Sequence, residues 1–170
     1  MTLPPRIRVA WREVPLDAPR RESSRALLAE LLPAARFVSR CALCGGDHGR
    51  ISVEGVDAAV SVSYVPGWAV VAVTDAPGRI GIDAVPADAA GLDSVLPGAA
   101  DARAWARVEA VLKADGRGLA VDPARVAVHE SADGWRARVV ESPDSRDAAA
   151  EWRGWDLDGP AGVVVAVAVG

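Results

Sequence analysis

Leucines at helical spacing mark the first strongly patterned stretch of the chain. Within residues 20–32, one face of a helix would carry four of them: Leu27, Leu28, Leu31 and Leu32. Ser23 or Ser24 can cap the N-terminus of this helix, and Pro33 breaks it at the other end. The pattern therefore predicts an amphipathic helix that buries its leucine face.

A second apolar stripe lies beyond the middle of the chain. Trp105, Val108 and Leu112 recur at spacings of three and four residues. Gly116 follows as a C-terminal stop, because glycine adopts the left-handed conformation that commonly ends helices. We predict a second helix over residues 101–115.

Strand patterns fill much of the remaining sequence. Residues 56–74 are rich in Val, Ser and Ala and are interrupted at Pro66-Gly67, which predicts two strands joined by a turn. Residues 79–83 predict a short apolar strand that ends in Asp83. Three more strands are predicted at residues 126–128, 135–140 and 163–169, with Asp133-Gly134 as the hairpin signal between the first two.

The order of these elements predicts an α+β fold built as a pseudo-dimer. Each of two similar halves would pack one helix on a small, mainly antiparallel sheet, with the functional site in the cleft between them. We divide the chain into residues 1–85 and 86–170, forming one compact unit, with a connection rich in Ala, Gly, Pro and Asp at residues 86–100. No clean sequence repeat accompanies this doubling.

Composition narrows the class of protein. The chain has 170 residues, of which 51% are hydrophobic, so a globular core is expected rather than disorder. Its net charge of −4 argues against a general nucleic-acid binder. The most apolar run is far shorter than a membrane helix, two cysteines are too few for a disulfide scaffold, and no secretory leader opens the chain, so we expect a cytoplasmic protein without membrane contact.

Two carboxylates and one ammonium group form the main candidate for chemistry. Lys113 is the only lysine among nineteen basic residues and lies one helical turn after Glu109. With Asp83 at a strand end, this trio suits Mg²⁺ and phosphate, because Mg²⁺ prefers hard oxygen ligands and a lysine meets a phosphate as a point charge. The alternative is a solvated surface ion pair between Glu109 and Lys113.

Three segments carry a resemblance to a known family. Residues 60–68 read V-S-V-S-Y-V-P-G-W, residues 80–83 read I-G-I-D, and residues 105–113 read W-A-R-V-E-A-V-L-K, followed by G-R-G-L at residues 116–119. In order and spacing these segments resemble the surfactin-type 4′-phosphopantetheinyl transferase family, whose versions read V-S-x-S-H-S-x-x-W, (V/I)-G-(V/I)-D-x-E and W-x-x-K-E-x-x-x-K. Weaker likeness extends to residues 24–28, 48–51 and the last strand.

The resemblance implies an activity and a set of roles. It implies Mg²⁺-dependent transfer of the 4′-phosphopantetheine arm of coenzyme A to a serine of an apo acyl or peptidyl carrier protein. Asp83 and Glu109 would hold Mg²⁺ on the pyrophosphate, Glu109 would assist deprotonation of the serine, and Lys113 would offset charge on the phosphates. The nucleotide end of coenzyme A would be lined by Arg25, Gly49, Arg50, Ser63 and Tyr64.

Three positions depart from the family pattern. Tyr64 stands where the family usually has a histidine, Val85 where many members have a second carboxylate, and Val108 where a lysine precedes the glutamate. The connection at residues 86–100 is also shorter than the stretch that usually contributes to carrier-protein docking. These changes keep open a second hypothesis, a non-catalytic or repurposed relative that binds coenzyme A or a carrier protein.

Other residues leave alternatives open. Cys41, Cys44 and His48 are zinc-ligand types, but no fourth ligand lies nearby, so a reduced pair that stabilises the loop is favoured over structural zinc. Arg20, Arg21 and Arg25 form either a solvated basic face of the first helix or part of the nucleotide site. Six tryptophans could form a stacking surface, but Trp68 and Trp105 are expected in the core, and Trp152 and Trp155 are expected to cover the last strand.

Overall fold

Two α-helices and ten β-strands make up the described part of the chain. The computed structural model describes residues 3–15, 17–41, 44–92, 101–140 and 150–170. The helices are α1 (Arg20–Leu31) and α2 (Ala102–Asp115). The strands are β1 (Ile7–Glu13), β2 (Arg36–Val38), β3 (Ser52–Glu54), β4 (Ala59–Val65), β5 (Trp68–Thr74), β6 (Ile80–Pro86), β7 (Val126–Ser131), β8 (Gly134–Val139), β9 (Glu151–Asp158) and β10 (Val163–Val169).

The strands form three antiparallel sheets, which confirms the α+β class. The first sheet has the order β1-β5-β4, the second the order β6-β10-β9-β8-β7, and the third is the pair β2-β3. Among the described helices, none is both long and apolar enough to cross a membrane.

The first two sheets share a connection pattern. In each, a strand leads into a helix, and the last strand returns to pair antiparallel with that first strand: β5 with β1, and β10 with β6. The second such unit begins at Ile80, since β6 pairs with β10 along residues 80–86. The boundary that the sequence predicts after residue 85 therefore falls inside β6, which is a strand of the second sheet.

The hydrophobic core has three layers. One lies between the two larger sheets, and the other two lie on their outer faces, under α1 and α2. Val71 and Val73 of β5 pack with the leucines of α1, as the helical pattern predicts. Val70 and Ala72, on the opposite face of the same strand, pack with β6 and β10 of the second sheet. Alanines and valines of α2 cover the far face of that second sheet. The valine-rich strands β5 and β10 are buried on both faces, which explains their lack of polar alternation.

The predicted helix end is confirmed for α2, whereas the predicted start of α1 is not. Gly116 ends α2 at φ +87°, as predicted. Asp101, which the sequence placed at the start of this helix, precedes it and caps it by accepting from Ala104 N at 2.9 Å. The serine cap predicted for α1 is wrong. That helix begins after Pro19, which offers no side-chain cap, and Ser24 lies four residues inside it.

Most predicted strands are present, with shifted ends. The turn between β4 and β5 lies at Pro66-Gly67, with Gly67 at φ +80°. Trp152 and Trp155 are buried in β9, beside the last strand, and Trp68 and Trp105 are half-buried against the core. Strands β1, β2, β3 and β9 had no counterpart among the predicted elements. Residues 93–100 of the connection, and residues 42 and 43 between the cysteines, lie outside the described residues.

Candidate functional site

Asp83 and Lys113 form a partly buried ion pair, although 30 residues separate them along the chain. Asp83 is 7% exposed, and its Oδ1 accepts from Lys113 Nζ at 2.7 Å. Lys113 Nζ also donates to Ser63 Oγ and to the carbonyl of Ile82, each at 3.1 Å. All three donors of the ammonium group are thus engaged, so Lys113 anchors Asp83 in a single orientation.

The alternation of β6 explains why Asp83 faces α2. Ile80, Ile82 and Ala84 pack between the two sheets, whereas Val85 packs with α2 on the other face. Gly81 lies on that second face too, where a Cβ would overlap the carbonyl oxygen of Ala110. The bare backbone of Gly81 therefore lets α2 approach β6 closely enough for Lys113 to reach Asp83.

Two serines of β4 join the first sheet to the second. Ser61 Oγ accepts from the backbone N–H of Ile82 at 3.0 Å, and Ser63 Oγ accepts from that of Ala84 at 3.1 Å. Ser63 Oγ also donates to Asp83 Oδ1 at 2.9 Å. These hydroxyls satisfy edge donors of β6 that no neighbouring strand pairs, and they fix the backbone on both sides of Asp83.

Glu109 is a half-buried carboxylate next to the ion pair. Its pKa is raised above the ordinary value, mainly by desolvation and then by the negative charge of Asp83, while Lys113 partly offsets the shift. Glu109 has no hydrogen-bond partner among the described residues. The surface ion pair between Glu109 and Lys113, considered from the sequence, is absent from the described part of the chain, where Lys113 pairs with Asp83 instead.

The raised pKa of Glu109 predicts a pH-dependent cost in stability. The folded protein holds this proton more tightly than the unfolded chain, so Glu109 destabilises the fold as pH rises from about 4.5 through its raised pKa. We expect Glu109→Gln to remove this part of the decline in the free energy of unfolding. Urea unfolding at a series of pH values between 4 and 8 would measure the difference. The exposed Glu13 provides a control, and an identical profile for Glu109→Gln and Glu13→Gln would contradict the expectation.

A basic cavity of about 500 Å³ opens beside Lys113. Four cationic side chains line it, and no carboxylate is among its described lining residues. The cationic residues are Arg20, Arg21, Arg50 and Lys113. Two of these cations pair with carboxylates, Arg21 with Asp47 at 3.4 Å and Lys113 with Asp83 at 2.7 Å. The remaining positive charge in the recess favours an anionic ligand, because low-dielectric walls focus the field.

Residues of α1 and β4 meet at one side of this cavity. The hydroxyls of Tyr64 and Ser24 are 2.7 Å apart, and the guanidinium of Arg20 lies 4.9 Å above the centre of the Tyr64 ring. A cation thus accompanies the tyrosine that stands where the resemblance expects a histidine. Ser24, which the sequence assigned to a helix cap, instead ties α1 to β4.

The opposite wall is formed by the C-terminal end of α2 and by Arg50. A Cβ at Gly116 would overlap the guanidinium of Arg50, which therefore lies directly over that glycine. The pKa of Arg50 is lowered by desolvation and then by Arg79, and Asp115 partly offsets the shift. The carbonyl end of the helix favours a cation at this position.

The structure brings together some of the residues that the sequence predicted for the site. Gly49, Arg50 and Tyr64 line the cavity. Ser63 is buried in the contact with Asp83, and Arg25 bonds to Ser39 Oγ, so neither is among the described lining residues. Val85 and Val108 are 6% and 3% exposed and belong to the core around α2.

Sequence reasoning missed two features of the site. It did not identify Ser61, whose signal was only its position two residues before Ser63 on one face of the same strand. It also left open whether Arg20 and Arg21 face solvent, and both line the cavity.

The function of this site has to be argued from its own side chains. No model of a protein family and no curated protein matches this sequence. Function is therefore inferred from the ion pair, the neighbouring glutamate and the basic cavity, together with the motif resemblance.

Proposed function

We propose that the protein transfers the 4′-phosphopantetheine arm of coenzyme A to a serine of an apo acyl or peptidyl carrier protein, with 3′,5′-adenosine bisphosphate as the leaving group. One observation carries the proposal: Asp83, Glu109 and Lys113 come together from β6 and α2, and Lys113 also lines a cavity rich in arginine. Carboxylates beside an anion-selective recess suit a phosphoryl-transfer site, in which positioning and charge stabilisation do most of the work.

The two halves are proposed to be a pseudo-dimer with the site in the cleft between them. The shared connection pattern supports this, since β5 returns to β1 as β10 returns to β6. Ser61 and Ser63 at the junction of the two sheets support it as well, because they link β4 of one unit to β6 of the other.

The cavity offers complementary charge to the phosphates of coenzyme A. Arg20, Arg21 and Arg50 would bind phosphate oxygens, for which the guanidinium fork is well suited. The volume of about 500 Å³ falls within the usual range of small-molecule sites. Arg20 above Tyr64 would supply a positive charge that the phenol lacks.

The carboxylates fit the requirements of Mg²⁺ in donor type. Glu109 and Asp83 Oδ2 are without hydrogen-bond partners among the described residues, and their mutual repulsion contributes to the raised pKa of Glu109. Asp83 and Glu109 would hold the ion, which when bound would neutralise charge on the diphosphate.

The chain's own residues would orient the reaction and move its proton. Lys113 and Ser63 hold Asp83 in place. Lys113 contributes positive charge near the carboxylates while it keeps its three hydrogen bonds. Glu109 would accept the proton of the attacking serine.

A second candidate function is a relative that binds coenzyme A or a carrier protein without transfer. The burial of Val85 and Val108 favours it, because both positions contribute apolar packing to the core around α2 and no charge to the site. Such a protein would keep the basic cavity and lose turnover.

Incubation of the purified protein with coenzyme A, Mg²⁺ and a panel of apo carrier proteins tests the proposal. Mass spectrometry should detect the added arm on a carrier serine, and Glu109→Gln should lower the rate at least about 100-fold. Glu13→Gln, an exposed site on β1, should leave the rate unchanged. Calorimetric binding of coenzyme A or of an apo carrier protein, without turnover on any carrier, would select the second candidate. Absence of binding to either, together with absence of turnover, would exclude both candidates.

A further inference from the structure

Sulfur and nitrogen ligand atoms cluster in the loop that leads into the basic cavity. The chain contains two cysteines and two histidines, and Cys41, Cys44 and His48 account for three of these four residues within eight positions. Their ligand atoms all lie within 4.8 Å of one another. No disulfide joins the two cysteines.

Hydrogen bonds of the described loop residues link the two ends of the cluster. The N–H of Cys41 donates to Gly46 O at 2.8 Å, and the N–H of Gly45 donates to Cys41 O at 2.9 Å. Gly45 has φ +71°, a conformation that favours glycine. The N–H of Gly46 points at Cys44 Sγ at 3.4 Å, a contact that stabilises negative charge on sulfur.

Gly46 also keeps space clear beside the ligand atoms. A Cβ at this position would lie 3.1 Å from His48 Cδ2 and 3.3 Å from Cys44 Sγ. The sulfur of Cys44 and Nε2 of His48 are 2.9 Å apart. Tetrahedral zinc would hold a thiolate and an imidazole nitrogen about 3.5 Å apart, so a small outward adjustment of these two side chains admits the ion.

We propose that Cys41, Cys44 and His48 bind a zinc ion. Two thiolates and a neutral imidazole are a borderline-soft donor set that selects zinc over Mg²⁺. Their two negative charges balance the ion, so the site is neutral and costs little to place near arginines. The sequence disfavoured zinc because it offered no fourth ligand, but zinc sites with three protein ligands bind water or another exogenous group in the fourth position.

The position of the cluster gives the ion a structural consequence. His48 lines the basic cavity, and so do the next two residues, Gly49 and Arg50. A Cβ at Gly49 would lie 2.8 Å from Cys41 N, so the end of the loop is folded back onto its beginning. Zinc would fasten these two ends together and hold the wall that carries Arg50.

Metal analysis of the untagged, full-length protein purified in reducing buffer tests the site without any transfer assay. We expect about one zinc ion per chain after dialysis, and its near-complete loss in Cys44→Ser and His48→Asn. His129→Asn is the matched control, because His129 is the chain's other histidine and is exposed on β7. Cobalt substituted for zinc should give thiolate-to-metal charge-transfer absorption and intense visible bands typical of tetrahedral coordination.

The cobalt spectrum of the wild-type protein keeps the proposal testable if a variant does not fold. Absence of zinc in the purified protein, together with no cobalt-thiolate absorption after reduction and titration, would overturn it. Equal zinc content in Cys44→Ser and the wild type would overturn it too, since the ion would then be bound elsewhere. Zinc added to metal-free protein should raise the Tm of the wild type and of His129→Asn, and not of the two ligand variants.

Discussion

Replacing Gly81 with alanine is expected to lower the free energy of unfolding by about 3 kcal/mol. The added Cβ would overlap the carbonyl oxygen of Ala110 and approach the amide nitrogen of Ala114, both of which are backbone atoms of α2. A helix backbone cannot rotate out of the way as a side chain can, so α2 would have to move away from β6. The movement would carry Glu109 and Lys113 away from Asp83.

Chemical denaturation measures this loss, and Gly162→Ala serves as the control. Gly162 is exposed and has φ +75°, but nothing lies within 4 Å of the place that a Cβ would occupy there, so alanine should cost only about 1 kcal/mol of backbone strain. Equal losses at Gly81 and Gly162 would mean that α2 tolerates a Cβ at residue 81, contrary to the close approach described above.

Replacing Lys113 with methionine is expected to cost roughly 2 to 3 kcal/mol at neutral pH. Methionine can fill the space of the lysine stem but leaves the carboxylate of Asp83 without its cation, at a position that is 7% exposed. Ser63 would still donate one hydrogen bond to that carboxylate.

A double-mutant cycle separates the charge from the packing. Combining Lys113→Met with Asp83→Asn removes both charges, and the double variant should be more stable than Lys113→Met alone, as measured by denaturant unfolding. Additive losses in the double variant would show that the two residues do not interact energetically, despite the 2.7 Å contact between them.

Local signals were sufficient to predict α2 from the sequence. Asp101 caps the N-terminus of the helix with its side chain. Gly116 ends the helix in the left-handed conformation that glycine readily adopts. The hairpin of β4 and β5 was predictable for the same reason, since Pro66-Gly67 favours a turn irrespective of distant contacts.

Features that depend on tertiary packing escaped sequence reasoning. The i, i+4 spacing indicated a pair between Glu109 and Lys113, but burial against β6 gives Lys113 a closer partner in Asp83. The cap predicted for α1 at Ser23 or Ser24 is wrong because the helix begins at Arg20, before both serines, and Ser24 contacts Tyr64 of β4 instead. Strand β9 lacks a clear alternation of apolar and polar residues. One of its inward positions is Gly154, which has no side chain and leaves room for the ring of Trp135.

The solitary lysine makes the ion pair accessible to isotopic labelling. The chain has one lysine, and its nitrogen lies 2.7 Å from Asp83. Growth on labelled lysine would therefore introduce one marked residue in the whole molecule, next to the buried carboxylate. Its magnetic resonance signal would report on ligand occupancy of the neighbouring cavity without any spectral assignment.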